Sequence, residues 1–431
     1  MSAPSHAADG RSLRDPVPAR RETVGAAHAD GPGRTATFAL WFLMLGAFAI
    51  GAGEFVVMGL LNEVAADLGV TIPAAGWLVT GYALGVAIGG PLVAIATLRV
   101  PRRPLLIGLM GVFALGTALC AWGPSYGVLM AGRVLGAVAH GAFVGAAAVV
   151  ATRLVPPERA GSAVATVIGG FTVATVVGVP LGTWLGQALG WRAVFWAILA
   201  VVVLAGIGMA VLLPRDAAND EASGGGPDDA PDLRRELCAV VRPSVLMAFA
   251  ITALAFGGLF AAYTYVAPFL TEVAGFDAAL VAPMLFLFGI GALVGNAIGG
   301  RLANRDALRA IIIMVGTLTV ALALLPFASG SQVAVGVVLF AIGAAAFGAT
   351  PGFQLRVVSE ARDAPFLAST LNITAFNLGN ALGAFLGGVA VAGSLGVVGT
   401  GWVGAALAAG GVLVAVLSRR MDRRAVAGVG R

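Results

Sequence analysis

Twelve apolar runs, each about as long as a bilayer is thick, govern what this chain can become. A helix needs about 20 consecutive apolar residues to cross the hydrocarbon core. Such runs fall at 36–60, 74–98, 104–123, 127–151, 161–187, 191–213, 244–271, 279–300, 308–327, 332–354, 366–390 and 397–418. Of the 431 residues, 59% are hydrophobic and 11% charged, against roughly 45–50% and about 25% in a soluble domain. Folded in water, such a chain would expose apolar patches large enough to aggregate. The expected fold class is all-α, a polytopic membrane protein of twelve transmembrane helices. Glycine fills 62 positions, about twice its usual ~7% share, and small residues let membrane helices pack closely.

The chain has no lysine, so all 26 basic residues are arginine. All but Arg133 and Arg192 fall in the chain ends or in alternate loops. By the positive-inside rule both termini are expected in the cytoplasm, and the chain in the cell inner membrane. Arginines scattered among short loops do not form a nucleic-acid face. Glu63, Asp67, Glu272 and Asp277 occupy the opposite loops, with Trp77, Trp122, Trp184, Trp191 and Trp402 near the same ends as an expected interfacial belt. Cys120 and Cys238 fall in different compartments, so no disulfide is implied.

The expected organisation is a disordered cytoplasmic tail (1–35), a six-helix half (36–213), a charged, flexible cytoplasmic linker (214–243), a second six-helix half (244–418) and a cytoplasmic tail (419–431). The halves echo each other. Gly178, Gly182 and Gly186 in span 5 match Gly379, Gly383 and Gly387 in span 11. HGAFVG from His140 matches FGATPG from Phe347, and the loop GGPLVAIATLRVPRRPL matches GGRLANRDALR. Repeated halves around a central site are common in transporters.

The stretches GEFVVMGLLNEVAADLGV (53–70), GWLVTGYALGVAIGGPL (76–92), LRVPRR (98–103), AGRVLGAVAHGAFVG (131–145), VPPERAGSAVA (155–165) and TVVGVPLGTWLGQALGWRAVFW (175–196) add a further signal. Together they resemble the major facilitator superfamily, and within it the drug:proton antiporters of the arabinose-efflux and chloramphenicol-resistance type. The resemblance implies a proton-driven exporter whose spans 1 and 4 line a central cavity. It also implies gating loops built on Arg99, Arg102 and Arg103, and on Arg301 and Arg305 in the second half. The sequence departs from the family pattern at Leu98 and Asn304, where Asp is common. It departs again at Gly136 for Gln, at Val179 between Gly178 and Pro180, and at Asn62 for Pro.

Charges inside a span cost about 2.5–3.5 kcal/mol each on insertion scales, so they are functional candidates. Glu54, Arg133 and His140 are the ionisable residues deep within the spans. At 1.5 Å per residue Glu54 and Arg133 lie at a similar depth, roughly 10 Å, so their side chains are expected within reach of each other. Glu54 has three open roles: proton carrier, ligand for a cationic or hydrogen-bonding solute, or static ion pair. Arg133 stays charged, and either modulates Glu54 or binds backbone carbonyls. His140, seven residues on, shares its helix face and either packs or carries protons or substrate. Met58, Phe143, Tyr263, Tyr265, Asn296, Phe347, Gln354 and Asn377 are candidates to line a cavity, though such residues more often serve helix packing or interhelical hydrogen bonding.

No GxxxxGK[ST] phosphate loop is present, so ATP drive is not expected. Two cysteines and three histidines, two of them His6 and His28 in the tail, make no metal cluster, and no catalytic triad is apparent. The expectation is a non-enzymatic, cofactor-free monomer in lipid that exchanges protons for small amphipathic, chloramphenicol-like molecules. Sugar or nucleoside efflux, facilitated uptake and a non-transporting receptor remain open.

Overall fold

A computed structural model describes residues 33–97, 99–214 and 238–429. Most of the expected N-terminal tail and linker, and Leu98, lie outside these residues. Within the described residues twelve helices are long and apolar enough to cross a membrane. In the first half they are span 1 (Thr35–Gly59), span 2 (Ile72–Ala96), span 3 (Arg102–Trp122), span 4 (Tyr126–Arg153), span 5 (Pro157–Leu189) and span 6 (Trp191–Leu212). In the second they are span 7 (Pro243–Tyr263), span 8 (Ala278–Ala303), span 9 (Ala307–Ala328), span 10 (Gln332–Glu360), span 11 (Leu367–Ala392) and span 12 (Gly399–Arg423).

Local chemistry sets where the helices begin. Thr71, Ser125 and Ser331 cap spans 2, 4 and 10 with their hydroxyls, and Asp306 caps span 9 by accepting from Arg309 N at 2.8 Å. Proline shapes spans 2 and 5 alike. Pro91 and Pro180 each follow by two residues a π-helical turn, at Gly85–Gly89 and Ala174–Gly178. Proline offers no N–H to the carbonyl four residues back, and a widened turn beside it is a common consequence of that missing donor.

The glycine stripes read from the sequence are packing faces. In span 5, a Cβ at Gly178, Gly182 or Gly186 would meet Phe48, Val56 or Leu60 of span 1 at 3.0, 2.7 and 2.6 Å. In span 11, Gly379, Gly383 and Gly387 lie against the backbone carbonyls of Ala253, Gly257 and Ala261 in span 7. Span 5 therefore rests on span 1 as span 11 rests on span 7. In lipid, such close approach supplies the packing that water would otherwise drive.

The structure corrects several boundaries. Span 7, expected to reach 271, leaves helical geometry at Tyr265 (φ −108°, ψ 23°) and resumes as a short helix and π turn to Val273. Pro268 cannot donate to the carbonyl of Thr264 and crowds it. Span 1 also breaks, without a proline, at Leu60 (φ −120°, ψ 19°). It continues as a separate helix, Leu61–Leu68, which buries Leu61, Val64 and Ala65. Hydropathy windows miss this helix because it is short and carries Glu63 and Asp67. Span 12 continues as helix through the expected tail to Val429. There Arg419 pairs with Asp306 at 3.1 Å and Asp422 with Arg356 at 2.9 Å. Trp191 is not in the interfacial belt: it is 3% exposed and donates Nε1–H to Asp67 at 3.2 Å.

The halves meet through spans 2 and 11 and through spans 5 and 8. On the side away from the chain ends, two hydrogen bonds join them. Asn62 donates to Thr271 Oγ1 at 2.8 Å, and Gln187 donates to the carbonyl of Ala278 at 2.9 Å.

Candidate functional site

Small residues bring Glu54 into the interior of the first half. A Cβ at Gly51 would meet Phe171 of span 5 at 2.9 Å, and one at Gly53 would meet Phe113 of span 3 at 3.2 Å. Span 1 can therefore sit close to both neighbours, and Glu54 between them is 3% exposed. Its Oε1 has no hydrogen-bond partner. Its Oε2 lies 3.8 Å from His140 Nδ1.

Span 4 supplies the facing groups. The His140 ring stacks on Phe171 at 5.4 Å, and its Nδ1 is 3.3 Å from the Tyr82 hydroxyl. Tyr82 and Glu54 thus approach the same ring nitrogen from spans 2 and 1. Sequence reading missed Tyr82, although a tyrosine amid an otherwise apolar run was the available signal.

Arg133 does not pair with the Glu54 carboxylate, contrary to the expected meeting of side chains. Its guanidinium donates to the backbone carbonyls of Gly53, Glu54 (3.1 Å) and Leu78 (3.4 Å). Its Cζ lies 4.1 Å above the centre of the Tyr82 ring, a cation–π contact. Each carbonyl has two lone pairs, so it can accept from Arg133 and still serve its helix. Arg133 therefore staples spans 1, 2 and 4 beside the acid.

The second half contributes an aromatic wall. Tyr263 stacks on Phe288 at 4.3 Å, and its hydroxyl has no partner. Phe347 stands edge-on to Phe288 at 6.2 Å and to Phe256 at 6.5 Å. Phe256 in turn meets Phe376 at 4.1 Å. Phe260 belongs to the same group and stacks at 6.0 Å on Phe55, the residue after Glu54. Phe256, Phe260, Phe288 and Phe376 were not singled out from sequence, because phenylalanine is common throughout these spans.

Other expected lining residues have other partners. Tyr265 is buried where span 7 breaks, and its hydroxyl donates to the carbonyl of Ala384 at 2.9 Å. Gly76 and Gly388 leave the notch it fills. Met58 is fully buried, and Phe143 packs against Gly46. Gln354 donates to Ser369 and accepts from Asn372 at 3.3 Å, and Thr252 donates to Asn372 at 2.9 Å. That network ties spans 7, 10 and 11 and leaves Gln354 occupied. Asn377 donates to Ile373 at 3.0 Å while its Oδ1 has no partner. Asn296 is exposed beside Leu293 and Val294, away from the aromatic wall.

In the loop after span 2, Arg103 donates to the carbonyl of Ala210 in the last turn of span 6, where a cation is favoured. Arg99, Arg301 and Arg305 are exposed. The acid of the second-half loop is Asp306, two residues after Asn304, and it both caps span 9 and pairs with Arg419.

The all-helical chain with its twelve apolar spans is similar to known proteins. Residues 43–384 match the profile of the Major Facilitator Superfamily. The chain belongs to the major facilitator superfamily. It is 39% identical over 389 residues to the inner membrane transport protein YdhP of Escherichia coli (strain K12), covering 90% of this chain and 98% of YdhP. It is 36% identical over 376 residues to a chloramphenicol resistance protein of Streptomyces lividans, covering 87% and 95%. A bacterial homologue of the human lysosomal transporter Spinster, solved inward-facing and unoccupied, superposes with a TM-score of 0.68. That match has 16% sequence identity and covers 90% of this chain and 96% of the other. The chain is thus a major facilitator transporter, a multi-pass membrane protein and not an enzyme.

Proposed function

We propose that this transporter exports small amphipathic molecules, of the chloramphenicol kind, in exchange for protons, with Glu54 as the carrier. The observation that carries the reading is a buried carboxyl with one oxygen unpartnered and the other 3.8 Å from an imidazole nitrogen. The nearby guanidinium of Arg133 is given to backbone carbonyls and not to this carboxyl. An open oxygen can take and release a proton as the cavity changes sides. Arg133 cannot lose its proton and acts as the fixed charge that holds the span 1 backbone in place. The rings of Tyr263, Phe347 and their neighbours suit an apolar solute with few polar groups. The name of the Streptomyces relative supports an antibiotic substrate, and the arginine bias supports cytoplasmic termini in an inner membrane. The chain works as a monomer, and the Arg99–Arg103 and Arg301–Arg305 loops act as gates as the halves rock.

One proton entering for each neutral solute leaving moves one charge, and 100 mV then contributes about 2.3 kcal/mol. The test is chloramphenicol efflux from energised cells, with and without an uncoupler. Glu54→Gln is expected to abolish uncoupler-sensitive efflux yet retain chloramphenicol exchange in de-energised liposomes. Undiminished proton-driven efflux by Glu54→Gln rejects the assignment. Wild-type efflux indifferent to the uncoupler rejects the coupling itself and favours a facilitator.

A further inference from the structure

Tyr82 stands just before the π turn of span 2 and serves two partners on span 4. Its ring lies under the Arg133 guanidinium, and its hydroxyl lies 3.3 Å from His140 Nδ1. Glu54 Oε2 lies 3.8 Å from the same nitrogen. Gly136 leaves room for the tyrosine: a Cβ there would already stand 4.0 Å from the Tyr82 ring and 3.5 Å from Phe113. The other ionisable groups nearby have partners of their own. Arg133 is given to carbonyls of spans 1 and 2, and Cys120, beside Gly132, donates its thiol to Leu129 at 3.7 Å. The remaining neighbours of span 1 at this depth are apolar: Phe113 of span 3, Phe171 of span 5, Ile198 of span 6 and Phe260 of span 7.

We propose that Tyr82 is a positioning residue that competes with protonated Glu54 for His140 Nδ1, and so sets how tightly Glu54 holds its proton. A neutral imidazole has one nitrogen free of hydrogen, which accepts a hydrogen bond. Nδ1 is the nitrogen on which both side chains converge. An ionised carboxylate only accepts, so it gives Nδ1 nothing and Tyr82 holds the nitrogen. A protonated carboxyl donates, and contends for the same lone pair. Each proton loaded on Glu54 therefore costs the Tyr82 bond, while Tyr82 keeps its own proton throughout. With the hydroxyl nearer than the carboxyl, the structure shows the arrangement that Tyr82 holds. The consequence for transport rests on the reading of Glu54 as proton carrier; the competition itself does not.

The test is infrared difference spectroscopy of the full chain in lipid nanodiscs, following the C=O stretch of protonated Glu54 against pH. Glu54→Gln identifies the band by removing it. Tyr82→Phe keeps the ring under Arg133 and loses only the hydroxyl. It is expected to raise the midpoint of the band by about 0.7 pH unit, a proton held about fivefold more tightly, the worth of one net hydrogen bond. In a His140→Phe chain there is no nitrogen to contend for, and adding Tyr82→Phe is expected to leave the midpoint in place. An unmoved or lowered midpoint in Tyr82→Phe, or no titrating band from Glu54, would overturn the proposal. So would an equal rise with and without His140, which would show Tyr82 acting on the carboxyl directly. Midpoints that move as expected, beside chloramphenicol efflux indifferent to an uncoupler, would reject the export reading and uphold the competition.

Discussion

Glu63 and Asp67 sit one helical turn apart on Leu61–Leu68, yet their surroundings pull them in opposite directions. Asp67 accepts from Arg192 and from Trp191 Nε1–H, and the hydrogen bond to Arg192 holds its carboxyl below the usual range. Glu63 is raised above its usual value, mainly by burial, and its Oε2 has no partner. A raised acid favours the folded state while protonated, and loses that contribution as pH rises through its folded value. A depressed acid does the reverse: Asp67 stabilises at neutral pH and loses its contribution as pH falls through its lowered value. Glu63→Gln is therefore expected to raise the Tm at pH 7 and to leave it unchanged near pH 4, where wild-type Glu63 is protonated. Thermal unfolding at both pH values checks this; an equal shift at both rules out the burial argument. At this scale the sequence showed which charges were unusual. It did not show whom they touch. Arg133 and Glu54 have compatible depths, but the guanidinium goes to backbone carbonyls because these lie where span 1 crosses span 4.

The contact between spans 7 and 11 depends on glycine. Gly383 lies against the carbonyl of Gly257, and its Cβ position would also fall 2.9 Å from Ala261 N. Both are backbone atoms, which cannot swing aside as a side chain can. Overpacking of this kind costs about 1–3 kcal/mol, so Gly383→Ala is expected to lower the Tm. At Gly111, where a Cβ meets nothing within 4 Å, Gly111→Ala should change stability by no more than about 0.5 kcal/mol, as surface changes do, and so leave the Tm close to that of the wild type. Differential scanning fluorimetry in one detergent compares the two. The four-residue glycine spacing was legible in the sequence because it is a helix-face pattern. The breaks at Leu60 and Tyr265 were not. Hydropathy averages over a window, whereas a break depends on one carbonyl losing its donor, or on a short helix finding a buried face.

Across the whole molecule, the halves are closed on the side away from the chain ends, where Asn62 bonds Thr271 and Gln187 bonds Ala278. Rocking of two rigid halves must part these pairs. In a chain carrying Cys120→Ser and Cys238→Ser, joining Asn62→Cys to Thr271→Cys with a short cleavable bifunctional reagent is expected to stop solute flux. Flux should return on cleavage. Full flux in the joined state would show that this side does not open during transport.

The sequence alone determined the solvent, the number of spans and the glycine faces on which they pack. Each of these follows from local composition and spacing along one chain. It also singled out Glu54, Arg133 and His140, because ionisable groups in apolar runs are costly enough to be conspicuous. Only the tertiary structure decided that Tyr82 joins them, that Arg133 serves the backbone, and that Tyr265 bolts spans 7 and 11 together. It also decided that one oxygen of Glu54 stays open. Those outcomes depend on distances between atoms far apart in the chain, which are set when helices pack in three dimensions.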